Sequence, residues 1–207
     1  AYTDADSSGL WRVYEKQDPY TQLRILTPDS ATSNQEFGHK IVARNDGRTL
    51  IVSAPTKAQG EVQFLFRSVN TPGTTFTTQS TATMTENNDN TSRLGYSLSM
   101  SSDDNFVIAG APYTNTIGTD GSSRFSDSGL IKIYLWNPST FTYGILNTIT
   151  PPSDLASQNF GWSHKISEPG ADSVRTTATK YLFVGAPGFA DGGQSNEGRV
   201  YMYEWSI

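Results

Sequence analysis

Residues able to do chemistry are sparse in this chain. It has no cysteine, which removes a thiolate nucleophile, a disulfide framework and a cysteine-type zinc site. The two histidines, His39 and His164, stand one and three residues after a glycine. No acidic neighbour at a fixed spacing completes a triad with either, so both read as core or rim histidines rather than general bases. A phosphate loop, a His-Glu-x-x-His helix and a Gly-x-Ser-x-Gly elbow are absent. Paired carboxylates for glycoside hydrolysis would have to converge from distant loops. The sequence offers no motive for catalysis, and no enzyme is expected.

Two further sets of residues recur with the chain. Acidic side chains precede three glycine-opened segments: Asp4 and Asp6 before Gly9, Asp120 and Asp127 before Gly129, Asp191 and Glu197 before Gly198. Oxygen ligands of this kind could gather calcium. The matching place before Gly60 holds Lys57, Ala58 and Gln59, so the set reads instead as solvated turn carboxylates. Asp120, Asp127, Asp191 and Glu197 are the metal candidates, but no metal and no cofactor is expected. Ring residues recur too: Tyr96 and Trp162 directly follow a repeated glycine, and His39 holds the third such place. Rings repeated in this way pack or line an assembly, and on its mouth they could receive a sugar or a protein.

The elements that must position these residues come from an internal repeat. One unit runs from Phe37 and Gly38 through a turn at Asn45, Asp46 and Gly47 to an apolar run ending in Ser53, Ala54 and Pro55. The next has Leu94, Gly95 and Tyr96, a turn near Asp103 and Asp104, and Gly110, Ala111 and Pro112; the third has Phe160, Gly161 and Trp162, then Gly185, Ala186 and Pro187. From leading glycine to alanine the spacing is 16, 16 and 25 residues. Each unit is followed by a strand that opens on glycine and carries an apolar or aromatic residue five places on: Gly60 with Leu65, Gly129 with Tyr134, Gly198 with Tyr203. Gly9 to Tyr14 shows the same signature ahead of the first unit. Outer strands are expected near Thr21 to Leu26, Thr75 to Thr83 and Thr142 to Thr150. Four short strands per unit make a blade.

The apolar runs Leu50 to Val52, Phe106 to Ala109 and Tyr181 to Val184 predict inner strands covered on both faces, while Gly198 to Trp205 alternates as a half-exposed strand does. No window keeps helical apolar spacing without a glycine, a proline or a Ser/Thr cluster. The expected fold is all-β, built of β-propeller blades of four antiparallel strands. The whole chain, 1–207, forms one propeller region, with units near 37–93, 94–159 and 160–207, and with 1–36 supplying strands of a neighbouring blade.

The Phe-Gly, Gly-Ala-Pro and Gly-x-x-x-x-Tyr cycle resembles FG-GAP repeats, the blades of integrin alpha-chain propellers and of many bacterial and viral surface proteins, over about Gly9 to Trp205. Repeats of the integrin type carry a calcium loop of alternating aspartates between Phe-Gly and Gly-Ala-Pro. Here Asn45, Asp46, Gly47 and Asp103, Asp104, Asn105 make short hairpin turns instead, so the chain is similar to a calcium-poor variant. Propellers close with about four to eight blades, and about three are present. Closure would need missing chain, further copies or a partner covering the edges.

Composition narrows the partners. With 15 basic against 20 acidic residues and a net charge of -5, there is no cationic footprint for nucleic acid. No run reaches the roughly 18 to 20 apolar residues of a span, so membrane insertion is not expected. The 24 Ser, 25 Thr, 18 Gly and 12 Asn favour turns and extended structure over helix. Starting at Ala1 rather than Met, the chain is expected to be a processed or excised part of something longer.

The resemblance implies a non-enzymatic binding or adhesion module, extracellular or on a virion surface, that contacts a protein or glycan through propeller loops. The alternatives are a structural part of a virus or phage particle (fibre, spike or decoration) and the accessory propeller of a secreted enzyme. Loop length beyond the repeat minimum marks two excursions, Tyr113 to Ser128 and Ser167 to Lys180. Within them Arg124, Phe125 and Arg175 are the expected partner contacts, with Phe125 as the apolar anchor.

Overall fold

The computed structural model describes residues 11–15, 21–28, 30–69, 74–84, 91–167, 179–190 and 194–206. Among them there is no helix, and fifteen strands run in chain order. A hairpin of β1 (Trp11–Glu15) and β2 (Thr21–Leu26) comes first. The first full blade is an antiparallel meander of β3 (Ile41–Ala43), β4 (Thr49–Ala54), β5 (Glu61–Phe66) and β6 (Thr77–Thr83). The second contains β7 (Ser97–Met100), β8 (Phe106–Ala111), β11 (Leu130–Asn137) and β12 (Thr142–Ile149), paired in that order. Between β8 and β11 a small hairpin, β9 (Thr116–Ile117) with β10 (Arg124–Phe125), is inserted. The third blade shows three strands, β13 (Ser163–Ser167), β14 (Thr179–Ala186) and β15 (Arg199–Ser206).

The core lies between blades rather than within one. Alternation along a strand sends successive side chains to opposite faces, and both faces of the first and second blades meet a neighbouring sheet. Ile51, Val62 and Phe64 of the first blade pack with Leu94, Val107, Ala109, Leu130 and Tyr134 of the second. Phe106, Ile108, Ile131 and Ile133, on the other side of the second blade, pack with Phe160, Leu182, Val184 and Ala186 of the third. Leu26 of β2 packs with Phe37, Val52 and Leu65 on the remaining face of the first blade. This explains the continuous apolar runs in β4 and β8: both faces are buried, at roughly 1.5–3 kcal/mol per large aliphatic side chain.

The strands before each Ala-Pro are the second strands of their blades, with β3, β7 and β13 at the sheet edge beside them; burial peaks in mid-sheet and falls toward both edges. One expectation needs correction: Tyr181 to Val184 is not covered on both faces. Leu182 and Val184 are buried but Phe183 is exposed, because among the described residues no sheet lies on that side.

The repeat signature has a structural cause. The pairing register slips between Val13 and Tyr14 in β1, Phe64 and Leu65 in β5, and Ile133 and Tyr134 in β11. Each slip falls between the fourth and fifth residues after a strand-opening glycine. A bulge at this point bends the strand and increases its twist, so the apolar residue five places on marks the bulge in these three hairpins. The β1–β2 hairpin carries the same slip as the outer pairs of the two full blades.

Candidate functional site

The side chains after the three leading glycines converge. Gly38, Gly95 and Gly161 have φ of 93°, 87° and 88°, the left-handed backbone that glycine tolerates. Each donates its N–H to the carbonyl of its own blade's Ser53, Gly110 or Gly185. That shared turn puts His39, Tyr96 and Trp162 at one end of successive blades. The His39 and Tyr96 ring centroids are 5.4 Å apart, and Tyr96 and Trp162 are 4.8 Å apart. Tyr113, which follows Ala111 and Pro112, stands edge-on to both, 5.7 Å from Tyr96 and 5.9 Å from Trp162. The Arg93 guanidinium lies 4.8 Å from the Tyr113 ring centre, a cation–π contact. Trp162 and His39 are exposed; Tyr96 and Tyr113 are half-buried.

A cleft of about 570 Å³ adjoins this row and shares Arg93 and Tyr113 with it; Asn115, Ser126 and Asp127 are among its polar lining residues. Burial, reinforced by Lys40, lowers the His39 pKa against the opposing pull of Glu36, whose carboxylate is 3.6 Å away. Burial raises the Tyr96 hydroxyl. Both shifts favour the uncharged rings, which suits stacking and hydrogen bonding. His164 sits elsewhere, its Nδ1 2.7 Å from Ser99 Oγ of the second blade and its Nε2 buried without a hydrogen-bond partner.

The other sequence-derived candidates are scattered. Arg124 is exposed in β10, and Phe125 beside it is half-buried, its ring packed on Gly118 of the same small hairpin. Arg175 and Asp191 lie outside the described residues. Asp120 accepts bonds from Ser122 N, Ser123 N and Ser123 Oγ, and those from Ser123 and Ser122 lower its pKa to about 2. Asp127 lines the cleft and Glu197 lies near Trp162. Among the described residues no three His, Cys, Asp or Glu side chains gather as metal ligands. Sequence reasoning noticed the positions of His39, Tyr96 and Trp162 but missed Tyr113 and Arg93. The only signal for those two was their fixed offset from Ala-Pro and from Gly95.

No family model matches the chain, and no curated protein matches it. Among solved structures it is similar to a Lactobacillus plantarum protein determined in a structural-genomics effort. The TM-score is 0.52 at 14% identity, over 97% of this chain and 51% of that one. That neighbour is β-propeller-like. The fold here is propeller-like. At this identity the likeness concerns the fold alone, and the chain spans about half the neighbour's length.

Proposed function

We propose that the chain is a segment of an FG-GAP-type propeller of the calcium-poor kind, acting as a non-enzymatic binding module outside the cell or on a virion surface. The repeat assignment is supported by Phe37-Gly38, Leu94-Gly95 and Phe160-Gly161 leading three successive sheets in the same way. The binding reading rests on one observation, the row of His39, Tyr96 and Trp162 with Tyr113 against it. Adjacent rings at blade ends offer flat faces for the C–H side of a sugar, and Arg93, Asn115 and Asp127 in the adjoining cleft offer donors and acceptors for hydroxyls. The ligand class is a glycan, and the row replaces the Arg124–Phe125 hairpin as the expected contact.

A glycan panel followed by calorimetry tests this. Trp162→Ala and Tyr113→Ala should each weaken the best ligand about tenfold, in the range expected for a stacked ring. Absence of any bound glycan, or wild-type affinity in the double variant, would remove the reading.

A further inference from the structure

The two junctions between full blades are built from the same register positions. Aligned on Ala54, Ala111 and Ala186 and on Gly60, Gly129 and Gly198, the residues facing the next blade are Ile51, Val62 and Phe64 in the first and Ile108, Ile131 and Ile133 in the second. All six are between 0% and 3% exposed. The same positions in the third blade hold Phe183, Val200 and Met202, which are 37%, 69% and 64% exposed. Apolar character is kept where nothing among the described residues covers it.

The backbone repeats the pattern. Gly60 and Gly129 each form a parallel bridge to the residue that leads the next blade, Leu94 and Phe160. Leu94 N donates to Gln59 O and Phe160 N to Ser128 O, each at 3.0 Å. The approach is so close that a Cβ on Gly60 would fall 2.0 Å from Leu94 N, and one on Gly129 2.2 Å from Phe160 O. Gly198 has the same positive φ, 74°, yet the nearest atom to an added Cβ is its own blade's Pro187 O at 3.6 Å. Ser97 Oγ donates across the junction to Gly161 O at 2.6 Å, and Ser163, its equivalent in the third blade, is exposed.

We propose that the face formed by Phe183, Gly198, Val200 and Met202 is the acceptor for a fourth blade, led by an apolar–glycine pair of the Leu94–Gly95 and Phe160–Gly161 kind. The apolar residue's backbone would bridge to Gly198, the carbonyl of the glycine after it would meet Ser163 Oγ, and the blade's sheet would cover Val200 and Met202. A second copy of this chain does not fit, because its own pairs are engaged: Leu94 on Gly60, Phe160 on Gly129, and Phe37 buried with Leu26. This inference does not depend on what the aromatic row binds.

The absence of cysteine makes Met202→Cys a clean reporter. The 207-residue chain carrying it is compared with an extended chain in which a second copy of residues 138–207, without the substitution, follows Ile207. The extension supplies an outer strand like β12, the same connecting loop and a Phe160–Gly161-led sheet. Labelling of the introduced thiol should slow at least about tenfold in the extended chain, with a higher melting temperature. Gly198→Ala beside that thiol in the extended chain should restore fast labelling, since its Cβ would meet the incoming backbone. Sedimentation should find the 207-residue chain monomeric. Equal labelling in both chains, an extended chain that melts below the shorter one, or a dimer of the 207-residue chain that protects the thiol would each overturn the proposal.

Discussion

Lys180 of the third blade places its ammonium 2.8 Å from Asp103 Oδ2, in the β7–β8 turn of the second. Burial pushes the Asp103 pKa up, but bonds from Lys180, Ser101 and the Asn105 N–H outweigh it and hold the group well below the usual carboxylate range. A depressed carboxylate contributes stability that is present above its unfolded value of about 3.9 and is lost as pH falls through the folded value. Asp103→Asn should therefore cost about 1 kcal/mol at pH 7, discounted for the partial exposure of Asp103, and the deficit should fade on acidification below about pH 4. Urea unfolding at several pH values checks this. An equal deficit at pH 7 and pH 2 would show that the ion pair is not its source.

Gly129 and Gly121 distinguish two costs that glycine replacement usually mixes. Both have positive φ, 86° and 72°, but a Cβ on Gly129 would meet Phe160 backbone at 2.2 Å while one on Gly121 meets nothing within 4 Å. Gly121→Ala should cost only the backbone term, roughly 1 kcal/mol. Gly129→Ala must also push the second and third blades apart and should cost several times more, about 3 kcal/mol or above. Chemical denaturation of the two variants measures the difference, and similar values would mean that the blade junction yields easily.

Calcium should matter little to stability. The Asp120 oxygens are taken by Ser122 and Ser123, while the second blade's turn carboxylates are spent on neighbouring blades: Asp103 on Lys180, and Asp104 on Asn45 N and Nδ2 at 2.9 and 3.0 Å. Melting temperature should move by no more than about 2 °C between excess calcium and a chelator, whereas a site that binds only the folded chain would raise it with calcium concentration. A shift of about ten degrees would reveal a site that these residues do not account for.

How much of this was legible in the sequence depends on which physical rule each residue obeys. The leading glycines and the glycine with an apolar or aromatic residue five places on could be read directly, because positive φ, close blade contact and the outer-strand bulge constrain residue type at fixed spacing. Leu182, Phe183 and Val184 misled because an apolar run states what a strand requires, not whether a neighbour is there to supply it. The β9–β10 hairpin was missed because paired strands of two residues are too short to show alternation. In the aromatic row, the offsets of His39, Tyr96 and Trp162 were visible, but the addition of Tyr113 depends on how a loop after Pro112 returns over the second blade. Phe125 was singled out as a large ring in a polar loop, and its packing on Gly118 could not be seen without the hairpin.

His164 should make the fold sensitive to mild acid. Burial lowers its pKa to about 4, and a backbone hydrogen bond at Ser97 only weakly opposes that shift; its Nδ1 contacts Ser99 across the blade junction. The unfolded chain binds the proton near pH 6.5 while the folded chain resists it until about pH 4. Stability should therefore fall as pH drops from about 6.5 to about 4, by on the order of 1–3 kcal/mol, and then level off as far as this group is concerned. His39 is shifted in the same direction, so some acid sensitivity should persist when His164 is removed. Melting curves of wild type and His164→Gln from pH 7 to pH 4 check the assignment: the variant should lose most of the slope in that window. A profile as steep as wild type would place the acid sensitivity at groups other than the half-buried His164.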